Sequence, residues 1–430
     1  MKSWPRPFLP HVPGEGHLLR LRDSVSGELI PATETDDFTM YVCGITPYDA
    51  THLGHAATYV TFDVLQRTIR DAGVHVAVVQ NVTDVDDPLF ERAERDGVDW
   101  RDLARQETDL FRDDMTALAV IPPDEFVGVE ESMATIADAV AELLANGTAY
   151  AIPVEATTSE PAAVSAAARD VYLDLGQRDS FGQVSGWTRE QMDEVFAERG
   201  GDPDRIGKRD RFDPLLWRAA RRGEPSWEHP ALGAGRPGWH IECTAITRAH
   251  LGLPFDVQGG GTDLLFPHHE MSAAQAEALG GGSGRPGSPD FARIYVHQGM
   301  VGYEGHKMSK SRGNLVLVSR LRAEGVDPMA IRLVLLAHHH ASDWEYSDEQ
   351  LDAARDRLAR WRTAVSGNTA PPTEELLEEI RRTLADDLDT PAALAAVDAW
   401  AHRSLAQEGD DPTAAGVLAR ALDALLGIRL

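Results

Sequence analysis

The sequence predicts an α/β fold: a parallel sheet carrying an inserted subdomain, followed by an α-helical C-terminal bundle. Three observations carry that expectation. First, residues 38–80 alternate strand, helix and strand. FTMYVCGI (Phe38 to Ile45) is an apolar run of strand length. Tyr59, Phe62, Leu65 and Ile69 then recur at helical spacing until Gly73, and Val74 to Gln80 is a second apolar run. Such a unit over about 40 residues implies parallel strands joined by a right-handed crossover. Second, LPFDVQGG and ARIYVHQG are later apolar runs that end in glycine, as strands returning to the same sheet do. Third, helical periodicity dominates from about residue 317 onward.

The remaining elements follow in order. Residues 16–35 read as a β hairpin with polar turns, and 91–147 as amphipathic helix. Residues 151–170 are rich in Ala, Pro, Thr and Ser and are expected to be an exposed insertion with little structure. GGGSGRPGSPD, 280–290, is expected to be a flexible surface loop. The expected division is a hairpin extension over 1–37, an α/β unit over 38–315 with an insertion at about 120–215, and helices over 316–430.

Composition narrows the function. The 430 residues hold 41 Lys+Arg against 69 Asp+Glu, a net charge of −28. A broad nucleic-acid footprint needs a basic face, so no nucleic-acid partner is expected. Two cysteines, Cys43 and Cys243, exclude a disulfide scaffold and suggest a reduced, cytoplasmic setting. No apolar run of about 18 residues spans a membrane, and the Pro-rich start does not resemble a secretory signal. Only four lysines occur, and Lys307 and Lys310 are two of them.

Several segments could carry chemistry. Cys43 to Thr46, Asn81 to Thr83, Gly259 to Asp263 and Gly299 to Val301 each follow an apolar strand. Ligands of open parallel sheets bind beyond the carboxyl ends of the strands, so four such turns point to one crevice. His52 and His55 stand where the first helix begins, a position suited to anions. A capping histidine beside a surface one is the plainer alternative. Lys307 and Lys310 lie on a loop flanked by Gly302, Gly305 and Gly313. A lysine is a compact charge suited to clamping phosphate, and their retention in so lysine-poor a chain counts against a merely solvated pair. Cys43, Cys243 and His268 are of the types that hold zinc, although two buried free thiols are the commoner outcome of such a composition.

Together these segments resemble class I aminoacyl-tRNA synthetases. His52-Leu53-Gly54-His55 matches the HIGH motif, and KMSKS at 307–311 the second signature. CGITPYD, GWHIECT and GGGTDLLFPHHE resemble cysteinyl-tRNA synthetase in particular, in the right order across 38–315. The resemblance implies a Rossmann-like catalytic domain and one zinc ion held by Cys43, Cys243 and His268, which takes the thiolate of substrate cysteine. It implies that ATP, with Mg2+, is a substrate, and that His52, His55, Lys307 and Lys310 stabilise charge on the transferring phosphoryl group. It places the adenylate on Cys43, Gly44, Ile45, Thr46, Thr58, Asn81, Val82, Thr83, Trp239, Gly261, Thr262, Asp263 and Val301.

The chain departs from the synthetase pattern at three places. The synthetase run HHENE ends on a fourth zinc ligand; here it is HHEMS, with Ser272 at that position. Residues 341–430 hold nine Arg, no Lys and 18 Asp+Glu, or 9 − 18 = −9, a poor anticodon-binding surface. A turn, ERGGDP, occupies 198–203. With CGITPYDATHLGHA and HHEMS, that turn is similar to the synthetase-like ligases of mycothiol biosynthesis, which join L-cysteine to the amine of 1D-myo-inositol 2-amino-2-deoxy-α-D-glucopyranoside (GlcN-Ins). That resemblance implies an AMP-forming carbon–nitrogen ligase acting on L-cysteine, ATP and GlcN-Ins, expected as a monomer. A true cysteinyl-tRNA synthetase and a silent nucleotide- or zinc-binding regulator are the alternatives, and the intact HLGH and KMSKS motifs speak against the second.

Overall fold

The computed structural model describes residues 1–154, 168–178, 180–280, 290–308 and 313–430, with Lys307 described by its backbone alone. Five parallel strands form the central sheet. In spatial order they are Ala292–Gln298, Phe255–Gly261, Asp37–Ile45, His75–Val82 and Glu125–Gly128. The chain runs outward one way from Asp37–Ile45 to Glu125–Gly128, then starts again on the other side with Phe255–Gly261. The point where the order reverses therefore lies between Asp37–Ile45 and Phe255–Gly261. That is where a doubly wound sheet opens a ligand crevice.

The strands are near-continuous apolar runs because helices cover both faces. Leu53–Asp71 is the crossover helix between the first two strands, and its Leu53, Ala56, Val60, Val64 and Leu65 are buried. A second, antiparallel sheet is made of Ala149–Pro153, Arg169–Leu173, Leu215–Ala219, Gly233–Pro237 and Trp227–His229. Its first two strands occupy the edges of the 151–170 segment expected to lack structure; residues 155–167 between them lie outside the described residues. So does most of the 280–290 loop. The expected hairpin forms as Arg20–Arg22 paired with Leu29–Pro31.

The stretch 91–147 is not uniformly helical. Helices Asp87–Asp96, Trp100–Ala117 and Met133–Ala145 flank a short strand, Glu125–Gly128. The second helix ends on a left-handed Ala119, with Val120 N donating to the carbonyl of Met115, and Pro122 and Pro123 keep the chain from resuming it. Phe126 and Val127 then supply a buried sheet edge. Beyond residue 317 the helices form as expected, with one addition. Trp344–Tyr346 pairs in parallel with Val301–Tyr303, which in turn pairs with His306–Lys307.

One buried ionic network fastens the C-terminal helices to the sheet. Asp63, on the crossover helix, accepts from Arg67 Nε at 2.7 Å and from the guanidinium of Arg332, and all three side chains are fully buried. Its other oxygen accepts from Ile121 N at 2.7 Å. The two arginines spend their remaining N–H groups on the carbonyls of Leu118, Ala119, Asp423, Ala424 and Leu426. A buried charge is tolerable only when its partners and hydrogen bonds are complete, as they are here. Removing Asp63 leaves two buried guanidiniums without a counter-charge. Asp63→Ala is therefore expected to cost about 3–5 kcal/mol in urea unfolding. Arg382→Ala, which breaks the exposed pair with Glu379, is expected to leave the urea midpoint nearly unchanged.

Candidate active site

The site is built where the strand order reverses. Asp37–Ile45 delivers Cys43 to its carboxyl end, buried. The following residue must be glycine: a Cβ on Gly44 would lie 1.5 Å from the carbonyl oxygen of Asn81, on the neighbouring strand. Gly44 N instead donates to Asn81 Oδ1 at 2.8 Å, and Asn81 Nδ2 donates to Thr83 Oγ1 at 3.0 Å. Asn81 and Thr83 thus brace the floor from behind.

Helix Trp239–His250 presents His240 and Cys243 one turn apart, hence on one face. His268 comes from the irregular turn Leu265–His269, just ahead of helix Glu270–Ala278, rather than from the helix itself. The ligand atoms of Cys43, Cys243 and His268 all lie within 4.8 Å of one another, and all three residues are buried. Two thiols and an imidazole at that spacing are a donor set that can bind a metal ion. The hydrogen bond with Cys43, with His268 alongside, holds the Cys243 thiol well below its ordinary range. Burial pushes the Cys43 thiol up.

A supporting layer surrounds this set. His240 Nδ1 lies 3.0 Å from Nδ1 of His268, and burial holds His240 neutral by lowering its pKa. Gln258 Nε2 donates to Cys43 Sγ at 3.2 Å. His269 Nε2 is 3.4 Å from the same sulfur, and its Nδ1 is 2.8 Å from His297 Nε2. His297 Nδ1 in turn meets Ser24 Oγ at 2.8 Å. Such partners fix ring orientation and ligand basicity in metal sites. Sequence patterns singled out none of His240, Gln258, His269 and His297. The doubled histidine after Pro267 and the histidine in YVHQ were the available signals. Ser272 is buried in the helix after His268, its hydroxyl without a hydrogen-bond partner among the described residues.

A cavity of about 1300 Å3 opens over this floor. Cys43 to Thr46, His52, His55, Thr58, Trp239, Gly261, Asp263 and Val301 line it, so most of the residues that sequence resemblance assigned converge there. Asn81, Val82, Thr83 and Thr262 do not line it, and of the three metal-ligand candidates only Cys43 does. His52 is the N-cap of the crossover helix: its Nδ1 accepts from Gly54 N at 3.1 Å and His55 N at 3.4 Å. Gly54 makes room for that ring, since a Cβ there would lie 2.9 Å from His52 Cε1. The capping alternative thus holds for His52. Accepting at Nδ1 places the proton of a neutral ring on Nε2, which leaves that nitrogen as a donor. The His55 ring stacks on it at 3.8 Å. Lys310 lies outside the described residues. Lys307 continues the Val301–Tyr303 hairpin, and the next residue, Met308, lines the cavity.

The opposite wall comes from the antiparallel sheet and the ERGGDP turn. Asp170, Tyr172, Arg218, Arg221 and Arg236 face the cavity, together with Glu198 to Arg205. Arg199 also donates to the carbonyl of Asp263 at 2.9 Å, tying the turn to the glycine-rich strand end.

Comparison with known proteins agrees with this geometry. The family model described as "tRNA synthetases class I (C) catalytic domain" matches residues 29–356. A Sanguibacter keddieii protein named L-cysteine:1D-myo-inositol 2-amino-2-deoxy-alpha-D-glucopyranoside ligase is 57% identical, with all of both chains covered. The Mycolicibacterium smegmatis protein of the same name is 54% identical, again over all of both chains. Among solved structures, Mycobacterium tuberculosis methionyl-tRNA synthetase bound by methionyl-adenylate superposes with a TM-score of 0.62 at 19% identity, covering 91% of this chain and 92% of that one. That likeness speaks for the fold alone. The catalytic-domain match and the full-length identity place this chain among the class I (C) synthetase-type proteins, in the family of L-cysteine:1D-myo-inositol 2-amino-2-deoxy-α-D-glucopyranoside ligases.

Proposed function

We propose that the protein is an AMP-forming ligase that joins L-cysteine to the amine of GlcN-Ins, through a cysteinyl-adenylate formed from ATP. One observation carries the proposal: a chain 57% identical over its full length to a ligase of that name gathers two thiols and an imidazole into one buried cluster, whose Cys43 lines the cavity. We propose zinc as the metal held by Cys43, Cys243 and His268, and Mg2+ as the companion of ATP. Bound zinc would favour a thiolate over a hydroxyl, so it selects cysteine over serine.

The chain's own residues supply the rest. Trp239 packs against the His268 ring at 4.5 Å and walls the cysteine pocket. The carboxylate of cysteine attacks the α-phosphorus of ATP, and pyrophosphate leaves. His52 Nε2 and His55, at the positive end of the crossover helix, meet the charge that builds on that phosphoryl group. Lys307 and Lys310 of KMSKS complete the clamp. The adenylate then rests on the strand ends from Cys43 to Thr46 and from Gly261 to Asp263, with Thr58, Trp239 and Val301 beside it and Asn81 to Thr83 bracing beneath. The amine of the acceptor attacks the activated carboxyl, and AMP leaves.

The wall formed by ERGGDP is the proposed acceptor side. The C-terminal region supports a small acceptor over tRNA. Seven of its nine arginines (Arg355, Arg357, Arg362, Arg381, Arg382, Arg403 and Arg429) are paired with carboxylates of the chain itself. Those charges are already answered, so the region offers little to phosphates. We further propose a cytoplasmic monomer. No helix of the described residues is long and apolar enough to cross a membrane. In this scheme residues 1–37 are the hairpin extension, 38–315 the catalytic unit with its insertion at about 120–215, and 316–430 the helical unit.

Incubation with ATP and labelled cysteine, offered either GlcN-Ins or tRNA, tests the acceptor. Cysteinyl-GlcN-Ins and no charged tRNA are expected; charged tRNA without amide would reverse the assignment. Metal analysis tests the centre: one zinc per chain is expected in the native protein, and its loss in Cys243→Ala. A full zinc complement in that variant removes Cys243 from the site.

A further inference from the structure

Amide formation requires the attacking amine to lose a proton, and the adenylate side of the cavity offers few groups able to take it. Four of the cavity's carboxylates are already committed to cations. Asp49 pairs with Arg92, Asp87 with Arg236, Asp170 with Arg205 and Arg221, and Asp202 with Lys208. Glu91, Glu198 and Asp204 are exposed to solvent, with nothing that fixes them against the adenylate side. Asp263 belongs to the proposed adenylate set.

Glu242 also lines the cavity but is fully buried beside Cys243. Asp86 differs from all of these. It lines the cavity, is half-buried, and forms no ion pair among the described residues. Its two oxygens have separate tasks. Oδ1 accepts from Asp87 N at 2.9 Å and caps helix Asp87–Asp96. Oδ2 stands 3.5 Å from Thr46 Oγ1, at the strand end where the adenylate is proposed to rest. The cap fixes the side chain, so Oδ2 is held against the adenylate side of the cavity.

We propose that Asp86 is the general base of the ligation step, receiving through Oδ2 the proton released by the acceptor amine. The proposal rests on the ligase function argued above. The nitrogen lone pair of the neutral amine forms the C–N bond to the acyl carbon. The acyl carbon–oxygen bond to phosphate breaks, and its electron pair leaves with AMP. The surplus proton on nitrogen passes to the Asp86 carboxylate and from there to solvent.

Protonation behaviour is consistent with that role. Burial, then the neighbouring charge of Asp87, pushes Asp86 up to about 6, against which its bond from Asp87 N and the charge of Arg236 act. The other ionisable groups facing it are Glu242, on the helix Trp239–His250, and Tyr48. A base near 6 is a carboxylate at neutral pH, yet basic enough to accept a proton in the transition state.

Asp86→Asn tests this without breaking the helix, because Asn caps as well as Asp. Two steps are measured across pH on wild type and variant. One is cysteine-dependent ATP–pyrophosphate exchange; the other is single-turnover transfer from preformed enzyme-bound cysteinyl-adenylate to GlcN-Ins. The variant is expected to exchange pyrophosphate within about threefold of wild type, while transfer slows on the order of a hundredfold. The acidic limb near pH 6 in the wild-type transfer profile should disappear, and any limb belonging to the amine itself should stay. Transfer at the wild-type rate, or equal loss of exchange and transfer, overturns the assignment. Failure of the wild type to make amide while exchanging normally would instead reject the acceptor, and with it the function on which the assignment rests.

Discussion

The site depends on one meeting: two thiols and an imidazole brought together at the reversal point of a parallel sheet. Cys43 and Cys243 are far apart in the chain, and Cys243 and His268 sit on separate elements. They meet because the sheet restarts beside the strand that carries Cys43, and the helix carrying Cys243 packs close to that junction. Burying such a polar set without partners would be costly. The chain answers with His240, Gln258, His269 and His297, which orient the first set and are themselves oriented. The same reversal opens the crevice above it, so Cys43 and the neighbouring strand ends line one cavity.

The scaffold behind the site explains why this geometry holds. Asp63 on the crossover helix bonds Arg67 and Arg332 and so ties the C-terminal helices to the sheet's back face. The front end of the same helix carries His52 and His55. One helix thus anchors the C-terminal half at one place and presents two cavity-lining histidines at another. The C-terminal helices serve this packing, and most of their arginines pair with the chain's own carboxylates, largely at the surface.

Much of this was legible in the sequence. The apolar runs from Phe38 and Val74, and those ending at Gly260 and Gly299, are buried parallel strands, and their continuous hydrophobicity is what two covered faces require. The Glu125–Gly128 strand was hidden because four residues carry too little periodicity to stand out from flanking helices. The cluster of Cys43, Cys243 and His268 was recognised by resemblance, whereas its geometry comes from the fold. His269 and Gln258 could not be read at all, because a hydrogen-bond partner is defined by a neighbour across the sheet. His52 is the helix cap through Nδ1, a use that residue spacing does not separate from the phosphate-facing role expected of it.

The central claim is that the Cys43, Cys243 and His268 centre receives the thiolate of substrate cysteine. The most direct measurement is the absorption spectrum of protein loaded with cobalt in place of zinc and titrated with cysteine or serine. A further sulfur-to-metal charge-transfer contribution with cysteine, and none with serine, is the predicted result. An unchanged spectrum at saturating cysteine, with adenylate still forming, would contradict it: the amino acid would then be selected elsewhere in the cavity.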